Sequence, residues 1–496
     1  MRALVVGGGI SGLTAAHRLL RAVPDAEVTV IERRGRLGGL LKSSTLGGVA
    51  PEGADIGAEA SLFVRPETRA LAAELGLEAV FPDPAQSSQI FAHGRMHAMP
   101  KGTLMGVPAD PDALAGLLPD VDLDRVRNET LTPPAEGDAS VGEFLAARLG
   151  DALVDAVVDP LLGGVYAGRC RDLSLAATVP ALLPALHDGT SVLGRVAEVQ
   201  EQRRASGSGA RGPGANVPGS QANGAPPVFM SLPGGIARIV DALAVAITAA
   251  GGRIRTSTAA KSLARTEDGW RLGVTDVTGS TDSADAMPGP SEELGADLVV
   301  LAVPAFVSAP LLAGVGDPAL RSIAEELSGI EYASSAVVTA VIDTAEAPLT
   351  GSGFLVPPVE PAFIKASTFA SAKWPWLAAG LPADTAVVRM SVGRFGDTAW
   401  ADLPDEELAA RALEDWRRIT GRTAPARHVE VQRWEDALPQ YFPGHLEASA
   451  RIDAQLAPVP GLALVGNVHE GVGIPACLAR AESEITRVLG TQNTHR

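Results

Sequence analysis

The chain has 496 residues, 46% of them hydrophobic, which is more than a single core usually holds, so two or three domains are expected. Its 41 Lys and Arg against 58 Asp and Glu give a formal charge of −17 and a pI near 5.0, which argues against nucleic acid and against a generally basic membrane-binding face. Only Cys170 and Cys477 occur, far apart and without metal-ligand spacing, so neither a disulfide framework nor a thiolate metal site is expected, and a reducing cytoplasm fits.

The chain opens on an apolar run, Ala3 to Val6, followed by Gly7-Gly8-Gly9-Ile10-Ser11-Gly12 and an apolar-periodic stretch over residues 13–20. That order reads as strand, glycine turn and helix. Gly7 permits the tight turn, Gly9 lets backbone approach a pyrophosphate, and Gly12 lets the helix pack closely on the strand. A second apolar strand, residues 28–31, ends in Glu32, whose carboxylate can accept hydrogen bonds from an adenosine ribose. A dinucleotide is therefore the expected ligand. The opening strand leaves no room for a basic-then-apolar leader, so export is not expected. After Glu32 come Arg33, Arg36, Gly38, Gly39 and Leu40, a basic glycine-rich turn suited to the same pyrophosphate, and then Gly57-Ala58-Glu59-Ala60.

Residues 65–77 show helical spacing closed by Gly76, and residues 89–100 read as a hairpin turning at His93-Gly94. Helical periodicity dominates from 110 to 202. Residues 205–227 are almost entirely Gly, Ala, Ser, Pro and Asn, cannot bury a core, and are expected to form a disordered linker. Order returns with Leu232-Pro233-Gly234-Gly235, a helix carrying Ile239, Leu243 and Ile247, and a strand at 253–256, while residues 279–295 read as a polar insertion. Residues 298–316 are uncharged and long enough to span a bilayer, yet Val299-Val300-Leu301 is strand-like and Pro304 and Pro310 oppose a helix. A buried parallel strand followed by a turn is expected there. The C-terminal part holds Trp434, Pro439-Gln440-Tyr441, and a final strand, glycine turn and helix through Gly466, Val472, Gly473 and Ile474.

Taken with the glycine motif, the segments Gly163-Gly164-Val165-Tyr166-Ala167-Gly168, Leu232-Pro233-Gly234-Gly235, Lys373-Trp374-Pro375, Leu438-Pro439-Gln440-Tyr441 and Glu470-Gly471-Val472-Gly473-Ile474-Pro475 resemble the protoporphyrinogen/coproporphyrinogen III oxidase family of FAD-dependent, amine-oxidase-like flavoproteins. The resemblance covers nearly the whole chain. It implies an α/β (α+β overall) fold with a discontinuous Rossmann-like FAD-binding domain at 1–87, 229–304 and 446–496. A mixed-sheet substrate domain would take 88–109 and 305–445, a small helical domain 110–204, and the linker 205–228.

In such a protein Gly7 to Gly12, Arg33, Arg36, Gly38 and Gly39 would hold the pyrophosphate and Glu32 the ribose. Leu40 with Gly57, Ala58, Glu59 and Ala60 would hold the ribityl and phosphate region, and Ala260 would meet the adenine through its backbone. Trp434, Val472, Gly473 and Ile474 would lie against the isoalloxazine, and Gly466 would also contact the cofactor. The cofactor would be non-covalent FAD, with no metal and no assigned catalytic side chain. The expected reaction takes hydride from a porphyrinogen bridge carbon and passes electrons to dioxygen, releasing hydrogen peroxide, with handover of product to a ferrochelatase. Coproporphyrinogen III is favoured over protoporphyrinogen IX because a soluble acidic chain suits four propionates. An amine oxidase, a carotenoid desaturase and a flavin-free escort protein are the rival readings, and peripheral membrane contact stays open. Some relatives carry a basic residue just before the strand at Ile90, where this chain has Ser88-Gln89, so propionate anchoring falls to Arg95, Lys101, Lys365 or Arg394.

Overall fold

A computed structural model describes residues 1–209, 227–278, 287–345 and 347–493. Its first sheet is parallel and five-stranded, in the order Arg253–Arg255, Glu27–Ile31, Arg2–Val6, Leu298–Leu301, Leu462–Leu464. Val5 sits between Val30 and Val300 in register. Each strand is a short, continuous apolar run because both faces are covered. One face packs under helices Ile10–Ala22, Arg238–Ala249 and Ile474–Asn493. The other packs under helices Ala305–Ala313 and Pro318–Ser328 and the antiparallel strands Thr258–Thr266, Gly269–Thr278 and Met287–Ala296.

A second, seven-stranded sheet runs in the order Ala426–Pro439, Tyr332–Asp343, Thr385–Val392, Ala366–Thr368, Gly353–Leu355, Ser88–Ala92, Arg95–Ala98. It is mixed, since Gly353–Leu355 pairs parallel with Ser88–Ala92 while its other pairings are antiparallel. The hairpin turns at His93 and Gly94, both with positive φ, as the His-Gly pair requires. Helix Asp405–Thr420 covers one face through Leu408, Ala412 and Trp416. Helices Asp120–Arg127, Val141–Leu149 and Asp159–Tyr166 form a third core that also takes in Ile90 and Tyr441, so the helical part is seated directly on the sheet.

Three expectations need correction. Residues 205–209 are not a linker but continue helix Val192–Gly209, while residues 210–226 lie outside those described. The polar stretch read as an insertion over 279–295 is, from Met287 onward, an edge strand paired with Gly269–Thr278, and residues 279–286 lie outside those described. Pro288 and Pro290 are tolerated because an edge strand leaves one row of N–H positions unpaired. Residues 305–313, expected as a turn, form a helix that carries Pro310 inside it. Pro304 precedes the first turn, where a missing N–H costs nothing, and Pro310 forfeits a single helical hydrogen bond. Among the described residues no helix is long and apolar enough to cross a membrane.

Candidate cofactor and substrate site

The glycine turn sits at the C-terminal ends of the central parallel strands, where open α/β sheets bind ligands. Gly7 has φ 111°, and a side chain on it would stand 2.3 Å from the Ala302 carbonyl oxygen. A side chain on Gly12 would stand 2.0 Å from the Gly7 carbonyl oxygen. Backbone thus closes on backbone at both positions. Helix Ile10–Ala22 starts at Gly9 with no side chain capping its first turn, so its leading N–H groups await an outside acceptor. The second glycine turn abuts the first, with the Gly38 N–H donating to the Gly8 carbonyl at 2.8 Å. These are the features of an anion cradle, and they fit the pyrophosphate of a dinucleotide.

The Glu32 carboxylate accepts from the Gly8 N–H and from the Arg34 N–H, each at 2.7 Å. It holds the turn in place while keeping acceptor capacity on both oxygens. Thr258 donates its N–H to the Glu32 carbonyl at 2.9 Å, which brings Ala260 to the same end of the sheet. Arg36 donates to the Leu37 and Gly39 carbonyls and stacks 5.9 Å from the Trp434 ring centroid. Trp434 is nearly buried and lies against Gly57, where a side chain would meet its ring at 3.0 Å and the Leu40 oxygen at 2.2 Å. Arg36, Leu40, Gly57 and Trp434 therefore line one seam.

Glu59 is the charged centre of that seam. Its carboxylate is bonded by the Lys373 ammonium and, at 2.6 Å, by the Arg389 guanidinium, which also donates to the Gly57 carbonyl. Burial alone would raise its pKa, but the Lys373 and Arg389 charges and their hydrogen bonds outweigh it and hold the carboxyl down to about 2. Asp55 has the opposite fate. Burial pushes it up to about 7 against the hydrogen bonds it accepts from the Ile236 and Ala237 N–H groups, so it pins the Pro233-Gly234-Gly235 turn. Sequence reasoning gave Lys373, Arg389 and Asp55 no role, although Lys373 lies in a stretch that it singled out.

The C-terminal turn is fixed by Tyr441. Its hydroxyl donates to the Asn467 carbonyl at 2.5 Å and accepts from the Gly471 N–H at 3.0 Å, and its ring stacks on His445 with centroids 3.9 Å apart. Val472 packs against the helical core, and Ile474 is buried in the core under the parallel sheet. Tyr441→Phe would leave Gly471 and Asn467 without their partner at a cost of about 1 to 3 kcal/mol. Weaker FAD binding and a lower denaturant midpoint are expected for that variant, and a titration showing both unchanged would remove Tyr441 from the turn's support. Of the proposed propionate anchors, Arg95 and Lys101 are exposed, Arg95 donating to the Gly116 carbonyl, while Lys365 is buried and Arg394 stands half-buried beside it.

Residues 10–489 match the family model of flavin-containing amine oxidoreductases. The chain is 36% identical to coproporphyrinogen III oxidase of Mycobacterium tuberculosis over 490 residues, 98% of this chain and 96% of that protein. It is 30% identical to protoporphyrinogen oxidase of Bos taurus over 518 residues, 99% of this chain and 98% of that protein. The crystal structure of a candidate protoporphyrinogen oxidase from Exiguobacterium sp. 255-15 superposes with a TM-score of 0.79 at 29% identity, covering 99% of both chains. Reduced UDP-galactopyranose mutase shares the fold alone, with a TM-score of 0.67 at 15% identity over 99% of this chain and 94% of that one. The glycine cradle, the acid that ends the second strand and matches spanning nearly the full length agree: the chain belongs to the flavin-containing amine oxidoreductases, in the protoporphyrinogen/coproporphyrinogen III oxidase family, and is an FAD-dependent oxidoreductase.

Proposed function

We propose that the chain oxidises coproporphyrinogen III to coproporphyrin III in haem synthesis, with dioxygen as final acceptor and hydrogen peroxide as by-product. The observation that carries this reading is the 36% identity, over 98% of the chain, to a coproporphyrinogen III oxidase. Bound FAD would supply the hydride acceptor. Within this chain, the N–H groups of residues 9–12 would hold the pyrophosphate and Glu32 the ribose hydroxyls, with Ala260 close to the adenine. Leu40 and residues 57–60 would position the flavin chain. Trp434 and residues 472–474 would flank the ring, and the first turn of helix Ile474–Asn493 would supply N–H dipoles to charge arising there.

The substrate asks for little acid–base help. Once a bridge carbon has lost hydride, the positive charge spreads over the pyrroles and a pyrrole N–H becomes acidic, so the proton can leave to water. The protein's work is orientation and exclusion of water. In this reading residues 1–87, 229–304 and 446–496 carry the cofactor, residues 88–109 and 305–445 the substrate, and residues 110–204 close over it. A cytoplasmic enzyme that hands its product to a ferrochelatase completes the picture. The flavin is read as non-covalent, so acid precipitation should leave the yellow colour in the supernatant, and colour in the pellet would refute this.

Coproporphyrinogen III and protoporphyrinogen IX assayed side by side test the substrate. Each exposed ion pair is worth about 0.2 to 1 kcal/mol and is screened by salt, so the tetracarboxylate should show the higher kcat/KM, by a margin that narrows as salt rises. A clear preference for protoporphyrinogen IX would overturn the assignment.

A further inference from the structure

Lys365 is 8% exposed, and its ammonium donates to the Gly393 carbonyl at 2.5 Å. Next to it, Arg394 donates one N–H to the Val356 carbonyl at 2.7 Å, while its Nε is buried without a hydrogen-bond partner among the described residues. Neither cation has a carboxylate within ion-pair distance among the described residues. A buried ammonium beside a half-buried guanidinium in that state is costly unless something else compensates the charge. The surrounding charges do not supply that compensation. From the helical side, Asp159 accepts the Cys170 N–H at 2.6 Å and lies 3.8 Å from Arg169, and on the loop after Arg394, Asp397 accepts the Ala399 N–H. Three cations, Lys365, Arg394 and Arg169, thus face two committed carboxylates.

The place is also suggestive. Arg394 follows strand Thr385–Val392, whose Arg389 bonds Glu59 and Gly57, so one strand runs from the seam of residues 57–59 to the cation pair. From Arg389 to the strand end at Val392 the backbone spans about 10 Å, and Gly393 then turns with φ 88° into Arg394. On the other side the pair meets helix Asp159–Tyr166. A side chain on Gly163 would stand 3.8 Å from Arg394 Nε, and Phe395 donates its N–H to the Ala167 carbonyl at 2.6 Å. Val472 packs on the same helical core. Gln440, bonded to the Tyr166 carbonyl, keeps in this neighbourhood a buried amide oxygen without a partner among the described residues.

We infer that Lys365 and Arg394 form a carboxylate-binding subsite between the seven-stranded sheet and the helical part, one that takes a propionate of the substrate. The inference rests on the porphyrinogen reading above. Burial, then the neighbouring Arg394 charge, holds the Lys365 ammonium down to about 7, with Asp397 weakly opposing. An arriving carboxylate supplies the missing countercharge.

The test uses purified holoprotein and two ligands, coproporphyrin III and its tetramethyl ester, with binding read from porphyrin fluorescence. Lys365→Met and Arg394→Met should each retain FAD and lose about tenfold or more of the acid-over-ester preference, the scale of one charge-assisted hydrogen bond. The wild type gives a second arm that needs no variant. Its affinity for the acid should fall as pH rises through about 7, as Lys365 loses its proton, while affinity for the ester stays level. An unchanged acid-over-ester ratio in folded variants, or a level pH profile for the acid, would overturn the subsite. Wild-type turnover keeps the two claims apart: a chain that oxidises coproporphyrinogen III yet shows either of those results loses the subsite alone, and one that oxidises no porphyrinogen loses the parent reading.

Discussion

Glu59→Gln is expected to lower stability by about 3 kcal/mol, the range found when one partner is removed from a buried ion pair. The glutamine keeps the shape but leaves Lys373 and Arg389 sharing a neutral acceptor, and Arg389 already has a buried Nε without a hydrogen-bond partner among the described residues. The size agrees with linkage. A carboxyl held at about 2 against an ordinary 4.5 is worth about 3 kcal/mol at ~1.4 kcal/mol per pH unit. Because the folded pKa is depressed, this stabilisation is present in full above pH 4.5 and is lost as pH falls toward 2. Denaturant titrations of wild type and variant should therefore differ at neutral pH and converge in acid. A constant gap across that range would mean that the ion pairs do not carry the effect. Arg389 also holds the Gly57 carbonyl, so FAD affinity should fall with stability.

Gly12→Ala should abolish FAD retention. The added methyl would stand 2.0 Å from the Gly7 carbonyl oxygen and 3.0 Å from the Ala302 side chain, contacts that only a shift of the helix away from the turn relieves. Overpacking of this kind costs about 1 to 3 kcal/mol, and it separates the turn from the helix N-terminus that together form the anion cradle. Gly490→Ala is the matched control, since none of the described residues comes within 4 Å of the new methyl, and an alanine in a helix is if anything stabilising. Colourless Gly12→Ala beside yellow Gly490→Ala is the expected pair of preparations. Normal FAD content in Gly12→Ala would show that the close approach is not needed.

What the sequence showed clearly was what is local. The strand, glycine turn and helix over residues 2–22, and Glu32 at the end of the next strand, are periodicity and spacing within one βαβ unit, and they reappear in space as read. The Glu59 network was not readable, because Lys373 and Arg389 stand 314 and 330 residues away and meet it only through the seven-stranded sheet. Tyr441 was marked as a family signature, but its work is done through Gly471 and Asn467 in another segment. Two of the misread stretches have separate causes. Polar composition was taken for an insertion at Met287–Ala296, which an edge strand tolerates, and two prolines were taken against a helix at Ala305–Ala313, where a single forfeited bond makes them affordable. For Lys365 and Arg394 the residue types were evident, whereas their placement side by side without a carboxylate was not.

The central claim is that this chain binds FAD and uses it to oxidise a porphyrinogen. Mixing the purified protein with coproporphyrinogen III in the absence of dioxygen tests it most directly. The account predicts a yellow protein whose flavin absorption bleaches on mixing and recovers when dioxygen is admitted, with coproporphyrin fluorescence and hydrogen peroxide appearing together. A colourless protein, or a flavin spectrum that coproporphyrinogen III and protoporphyrinogen IX both leave unchanged while an amine bleaches it, would contradict the account.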